Sequence, residues 1–278
     1  MIVLFLAMSL AISCHAQSLE QTYQLGIDAF QQKDYQQAIA YYSRVLFFDR
    51  EQTYTQLIYE DLASSHFELG EYKPSAFFFD LAYNTEQESE IASKNELLLK
   101  RALCYIYLEE YNSALLDLYL VEQPKSSVKQ QAALLEGMCL YRLEKFEQAE
   151  KAFRNALVNS SDSVIVTQNF DELERINRKS PKKAKIFSMI LPGSGLMYVG
   201  DWKNGLSSLV LVGGLATLMV VSTANSGFMN AFLNVFPWYQ RYYMGGFQLT
   251  ENVAEDKLTT RRIRQLQKTV NDITNSYK

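Results

Sequence analysis

The sequence predicts an all-α protein: a helical solenoid, then a transmembrane helical hairpin, then an amphipathic tail helix. Three observations carry this prediction. Pro (5) and Gly (12) are scarce in 278 residues, which disfavours a loop-rich β-architecture. Residues 19–163 repeat one pattern of small, aromatic and large apolar positions four times. Residues 205–224 carry no charge, and about 20 helical residues match the roughly 30 Å hydrocarbon core of a bilayer.

Composition narrows the function classes. With 48% hydrophobic and 21% charged residues, the chain can build a core. A net charge of -4 excludes a globally basic nucleic-acid binder. Two His and three Cys supply metal sites and His-dependent catalysis poorly. The mean hydropathy of -0.15 is an ordinary soluble average, which conceals unlike parts.

Residues 1–16 read MIVLFLAMSLAISCHA. An apolar run ends in small residues at Cys14-His15-Ala16, the pattern of a secretory signal peptide cut before Gln17. The leader has no Lys or Arg ahead of the apolar run, so an uncleaved anchor is the alternative; a lipoprotein site at Cys14 fits poorly, since Ala11-Ile12-Ser13 lacks the usual Leu three residues before the Cys.

Four units follow, over residues 17–163. The first carries Gly26, Tyr35, Ala38, Tyr42 and Val45; the second Ala63, Tyr72, Ser75, Phe79 and Ala82. The third carries Ala102, Tyr111, Ala114, Leu118 and Val121; the fourth Gly137, Phe146, Ala149, Phe153 and Ala156. Each small residue lets two helices of a hairpin approach closely. The aromatic nine residues on closes the turn end. The next three positions, at i, i+4 and i+7, form the buried stripe of the second helix. Unit starts fall near Leu19, Gln56, Asn95 and Gln130. Cys104 and Cys139 occupy one position in neighbouring units, so they read as small core residues beyond disulfide reach.

This pattern resembles the tetratricopeptide repeat, over about half the chain. The resemblance implies a curved groove lined by the first helix of each unit. The groove-facing residues would be Tyr23, Ile27, Phe30, Ser64, Phe67, Leu103, Ile106, Tyr107, Met138 and Tyr141. The alternative for any one of them is packing between units. One key position of the Lys/Asn/Arg clamp used by relatives that grip chaperone carboxylates holds Tyr23, Glu60, Leu99 and Leu134 instead. The groove therefore suits an amphipathic helix or peptide of a protein partner, or the chain's own tail.

Residues 164–179 read as a capping helix, through Val166, Phe170, Leu173 and Ile176. Residues 175–185 concentrate six basic residues, either a solvated linker or a cluster resting on anionic membrane lipid. The element Pro192-Gly193-x-Gly195-x-x-Tyr198-x-Gly200 precedes Trp202 and the apolar run. It resembles the opening of small two-span membrane domains in bacterial envelope proteins. That resemblance implies a tight, backbone-exposed corner at the membrane surface, with Tyr198 and Trp202 in the aromatic belt. No Gly-Lys-Ser/Thr follows and no strand precedes it, which excludes a phosphate loop.

The hairpin occupies residues 186–249, turning near Asn225-Ser226-Gly227. In its second span Asn230, Asn234, Arg241 and Gln248 form a polar stripe that should avoid lipid. A half-submerged interfacial helix is the alternative. The tail, within residues 250–278, places Ile263, Leu266, Val270 and Ile273 at helical spacing, with basic residues on its other faces. Basic clusters at both flanks of the hairpin put both flanks in the cytoplasm, whereas a cleaved leader exports the repeats; the exported, periplasmic arrangement is favoured.

The sequence thus points to a membrane-anchored interaction scaffold of the bacterial cell envelope. The alternative is an assembly or insertion factor for membrane or outer-membrane proteins, acting through the hairpin. No catalytic residue, metal site, cofactor, small-molecule substrate or nucleic-acid partner is expected.

Overall fold

The computed structural model describes residues 18–85, 91–122, 126–157 and 162–277. The leader, with Cys14, lies outside them. The described residues are helical throughout, and no strand occurs among them. The chain divides into two compact units, residues 1–157 and 158–278.

The first unit is four helix pairs in chain order: α1 (Leu19–Gln31) with α2 (Tyr35–Phe48), α3 (Thr55–Glu68) with α4 (Tyr72–Thr85), α5 (Ile91–Tyr107) with α6 (Tyr111–Tyr119), and α7 (Ser126–Arg142) with α8 (Phe146–Ala156). Ser18 starts α1 with a reciprocal capping box: its hydroxyl accepts from Gln21 N–H, and the Gln21 side chain accepts from Ser18 N–H. Asp34 caps α2 through Gln37 N–H.

The four turns inside the pairs share one geometry. Lys33, Gly70, Glu109 and Glu144 each take a left-handed φ, between 59° and 76°. The next residue's N–H then donates back across the helix end: Asp34 to Ala29 O, Glu71 to His66 O, Glu110 to Tyr105 O, Lys145 to Leu140 O. This is the Schellman closure, which satisfies carbonyls the helix itself leaves open.

The small positions act as the spacing requires. A Cβ added at Gly26 would lie 2.5 Å from the Tyr42 ring, and one at Gly137 would lie 2.6 Å from the Phe153 ring. The expected stripes of the second helices are buried: Ala38, Tyr42 and Val45; Ser75, Phe79 and Ala82; Ala149, Phe153 and Ala156. Cys104 and Cys139 are free and buried, and burial pushes the Cys139 thiol up to about 12.

The second unit contains α9 (Ser163–Asn177), α10 (Pro181–Ile190), the single turn α11 (Ser194–Tyr198), α12 (Trp202–Ser226), the short α13 (Phe228–Asn234) and α14 (Phe236–Asn275). Three expectations change here. The basic stretch read as a linker is helical from Pro181 on, with Pro in the first turn where its missing N–H is harmless. The expected capping helix, α9, packs along the C-terminal part of α14 inside this unit. The expected second span is broken at Val235, after which one helix of 40 residues runs through to the tail.

Among the described residues one helix is long and apolar enough to cross a membrane, Trp202–Ser226, with a mean hydropathy of 2.0 in its most apolar window. The hairpin expectation therefore stands for its first span only. The turn after it falls where expected, with Gly227 at φ 87°.

Candidate functional site

The predicted groove residues divide into those absorbed by packing and those that line a pocket. In the first pair the Tyr23 hydroxyl donates to Asp61 Oδ2 at 2.8 Å, and its ring packs on Tyr42 and Tyr54. Ile27 and Phe30 pack against the buried cluster around Tyr42, and Phe30 meets the turn aromatic Tyr35 edge-on. Tyr141 is buried against Phe146 in the same way. Phe30 and Tyr141 thus meet the turn aromatics of their own pairs, whereas Tyr23 reaches across to the second pair, the packing alternative to a groove position. The reason is geometric: the residue five before each turn aromatic faces that ring, because both sit at the hairpin's end. Met138 and Ile106 are half-buried.

The second and third pairs behave differently. Ser64, Phe67 and Leu103 line a pocket of about 160 Å³ with Phe79, Lys100 and Glu68. Phe67 packs edge-on against Tyr72 and Tyr107, and Tyr107 stacks on Tyr72 at 4.4 Å. Tyr107 stays exposed over the rest of its ring. An apolar floor with an ammonium and a carboxylate at its edge suits an apolar side chain of a peptide, with polar groups beside it.

Charged groups that hydropathy reading passes over surround this region. Lys100 pairs with Glu60. Burial is the main reason the Asp61 carboxyl rises to about 6, opposed by the Tyr23 hydrogen bond. Behind the pocket Arg101 grips Asp117 with two bonds, Nε to Oδ2 at 2.8 Å and Nη2 to Oδ1 at 2.7 Å. Its remaining arm reaches Asp80, and the guanidinium lies 5.2 Å from the Tyr83 ring centre. The Arg-Ala dipeptide of the third unit was visible in the sequence, but its carboxylate partners lie 16 and 21 positions away.

In the second unit the Pro192–Trp202 element forms a packed corner. A Cβ at Gly195 would sit 1.8 Å from Ala184 O, and one at Gly193 (φ 81°) would sit 2.0 Å from Gly205 O. Gly193 and Gly195 are buried, which corrects the backbone-exposed corner: α10 and the start of α12 press onto the loop. Gly200 has φ 86°. A directional chain of hydrogen bonds fixes the corner. Gly195 N–H donates to Ser188 Oγ at 3.1 Å, Ser188 and Thr250 hydroxyls meet at 3.0 Å, and the Thr250 hydroxyl donates to Gly246 O. Since Thr250 spends its proton on Gly246, Ser188 is the donor to Thr250.

Tyr198 turns its hydroxyl to Arg178 O at 3.3 Å and its ring edge-on to Phe187. Trp202 is exposed. The stripe residues Asn230, Asn234, Arg241 and Gln248 are all exposed, the first two bonding only to the carbonyl one turn back. Around them the surface is strongly apolar: Ile190, Val210, Val220, Phe228, Leu233 and Leu249 are all exposed. On α14 beyond Thr250 the only large apolar residue exposed among the described residues is Ile263. The next turns carry the ion pairs Lys185–Glu251 and Lys257–Asp201.

The chain matches no protein-family model and no curated protein.

Proposed function

We propose that the protein is a membrane-anchored interaction scaffold of the bacterial cell envelope. In this reading the four helix pairs are tetratricopeptide-like repeats stacked as a solenoid, and they hold a partner peptide or helix on the face of their first helices. The shared closure of the four turns supports the repeat reading. The apolar helix Trp202–Ser226 supports the anchor. The observation that carries partner binding is the pocket of Ser64, Phe67 and Leu103, three expected groove residues from two successive pairs.

The test is site-directed photocrosslinking of the full chain in native membranes. A photoreactive residue at Leu103 is expected to give discrete protein adducts. One at Leu116, exposed on a second helix, is expected to give none. Equal adduct patterns at both positions would sink the reading.

The second reading is an assembly factor acting through residues 186–249. It is favoured by the exposure of Asn234, Arg241 and Gln248 within a largely apolar surface. Leu103 adducts that persist when residues 186–249 are deleted, from a chain that stays folded but no longer supports function, would favour it over the scaffold.

A further inference from the structure

Helix α9 and the C-terminal part of α14 flank a cavity of about 450 Å³. Its wall carries Arg175 from α9, Lys179 from just past the end of α9, and Arg261 and Lys268 from α14, facing Asp171 and Glu172. Arg261 and Lys268 are two turns apart on α14 and share a helix face. Lys268 is already committed, with Nζ 2.8 Å from Glu172 Oε2. The neighbouring Arg178 pairs with Glu174 and stays out of the wall. That leaves three cations against the single carboxylate of Asp171.

Arg261 is the most confined of them. It is half-buried, and its one bond is a long 3.4 Å contact from Nη2 to Val199 O. A guanidinium keeps five donors in a fixed fork. Most of that fork is unspent, in a recess where two further cations repel it. An anion with several oxygens relieves both problems at once: it accepts the free donors and cancels the repulsion. A carboxylate of this chain does not do so, since Glu172 is occupied and Asp171 is one charge against three. The volume lies in the range of small-ligand sites.

We propose that this cavity binds a phosphate-bearing anion, either the headgroup of an anionic lipid or a free phosphate. Arg175, Lys179 and Arg261 hold it. The lipid source has a positional argument. Arg261 touches Val199, two residues before Asp201, which caps the apolar helix Trp202–Ser226. Lys257, one turn earlier on α14, pairs with that same Asp201. The cavity thus opens beside the polar end of the helix that is long enough to cross a membrane, where headgroups would lie. This site lies in the second unit, and it does not rest on the helix-pair groove.

The experiment uses the purified full chain in detergent, in two arms. Native mass spectrometry from mixed micelles of phosphatidylcholine and phosphatidylglycerol reads retained lipid. Calorimetric titration with inorganic phosphate, in micelles free of anionic lipid, reads free phosphate. The variant R175Q/K179Q/R261Q is compared with K182Q/K183Q/R264Q, which removes as many cations outside the cavity wall. Retention of phosphatidylglycerol, or affinity for phosphate, is expected to fall about tenfold or more in the first variant and to hold in the second. R175K/R261K keeps the charge but not the fork and should lose less binding than R175Q/K179Q/R261Q, and Lys179→Gln alone should show a smaller drop if the triple variant does not fold. A response in the lipid arm alone assigns a headgroup; a response in the phosphate arm alone assigns free phosphate. Silence in both arms, or equal losses in the two triple variants, overturns the proposal.

Discussion

The two units differ in where their large apolar side chains go. In the first, Tyr42, Ile58, Leu97 and Phe153 are inside, although Phe47, Phe48 and Leu116 are exposed. In the second, small and polar residues share the sealed seams with large apolar ones: Ala184, Ser188, Gly195, Thr250, Gln265 and Thr269 beside Val166, Leu173, Leu196 and Ile273. Many large apolar ones between Ile186 and Leu249 face out. Water rewards the first arrangement through burial of apolar area. It does not reward the outward apolar surface of the second, whose corner is instead drawn together by small residues and by the Ser188–Thr250 hydroxyl pair. Outward apolar side chains of this kind carry no penalty in hydrocarbon, which is as apolar as leucine.

The first unit should break most readily at its one buried charge cluster. Arg101 and Asp117 have side chains only 9% and 6% exposed, so neither can be rehydrated in place. Arg101→Leu strands Asp117 and is expected to destabilise the unit by about 3–5 kcal/mol. The double variant R101L/D117L removes the stranded charge and should recover most of that loss. Chemical denaturation followed by circular dichroism reads both. A double variant as unstable as the single one would mean that the helix pairs depend on the ion pair itself.

The second unit should break at its corner, through shape and not charge. Gly195→Ala forces a methyl against Ala184 O and is expected to cost about 1–3 kcal/mol. Gly213, in the middle of α12, has nothing within 4 Å of its would-be Cβ. Gly213→Ala should be neutral or slightly stabilising, since Ala is the better helix former. Thermal unfolding of the full chain in detergent compares the two. Equal effects would mean that the corner yields, and that the close approach of α10 is not needed.

How far the sequence reveals these features depends on the kind of packing. The stripes of the first unit were legible because Ala38, Tyr42 and Val45 repeat a helical period and all lie inside. What they are buried against was not legible, so Phe30 and Tyr141 were assigned to a groove when they close the ends of their own pairs. The tail shows the limit most clearly. Its apolar pattern pointed to Ile263, Leu266, Val270 and Ile273, but the buried seam is Gln265, Leu266, Thr269 and Ile273. Gln265 is inside because α9 offers it Asn169, whose carbonyl and side chain both accept from its amide. Hydropathy counts such polar seams as surface. Likewise the Arg101 cluster leaves no periodic trace, since a charge pair is defined only once three helices meet.

Acid provides a gentler probe of the first unit. Its Asp61 carboxyl rises from 3.8 to about 6, chiefly because burial disfavours the charge. The folded state therefore holds a proton that the unfolded state releases. This contribution to stability is fully present below about pH 4 and is lost as pH climbs through 6. Partial exposure screens the effect to about 1–2 kcal/mol. Asp61→Asn keeps an oxygen to accept from Tyr23 and should flatten that slope, leaving the variant the more stable form above pH 6. An unchanged slope in the variant would assign it to other carboxylates.

The smallest effect tests the likeness of the four pairs. Their turns ask one backbone position for a left-handed φ, yet only the second pair supplies glycine there. Lys33, Glu109 and Glu144 take that conformation against a side-chain penalty of about 1–2 kcal/mol. Replacing them with glycine removes the penalty but frees the unfolded chain, which returns part of the gain. Lys33→Gly and Glu144→Gly should therefore each stabilise by about 0.5 kcal/mol, while Gly70→Ala should destabilise by about 1 kcal/mol. Opposite signs at these positions are what one shared turn geometry demands. If Lys33→Gly and Gly70→Ala shift the midpoint the same way, the four closures are not equivalent in energy, and the pairs repeat in outline only.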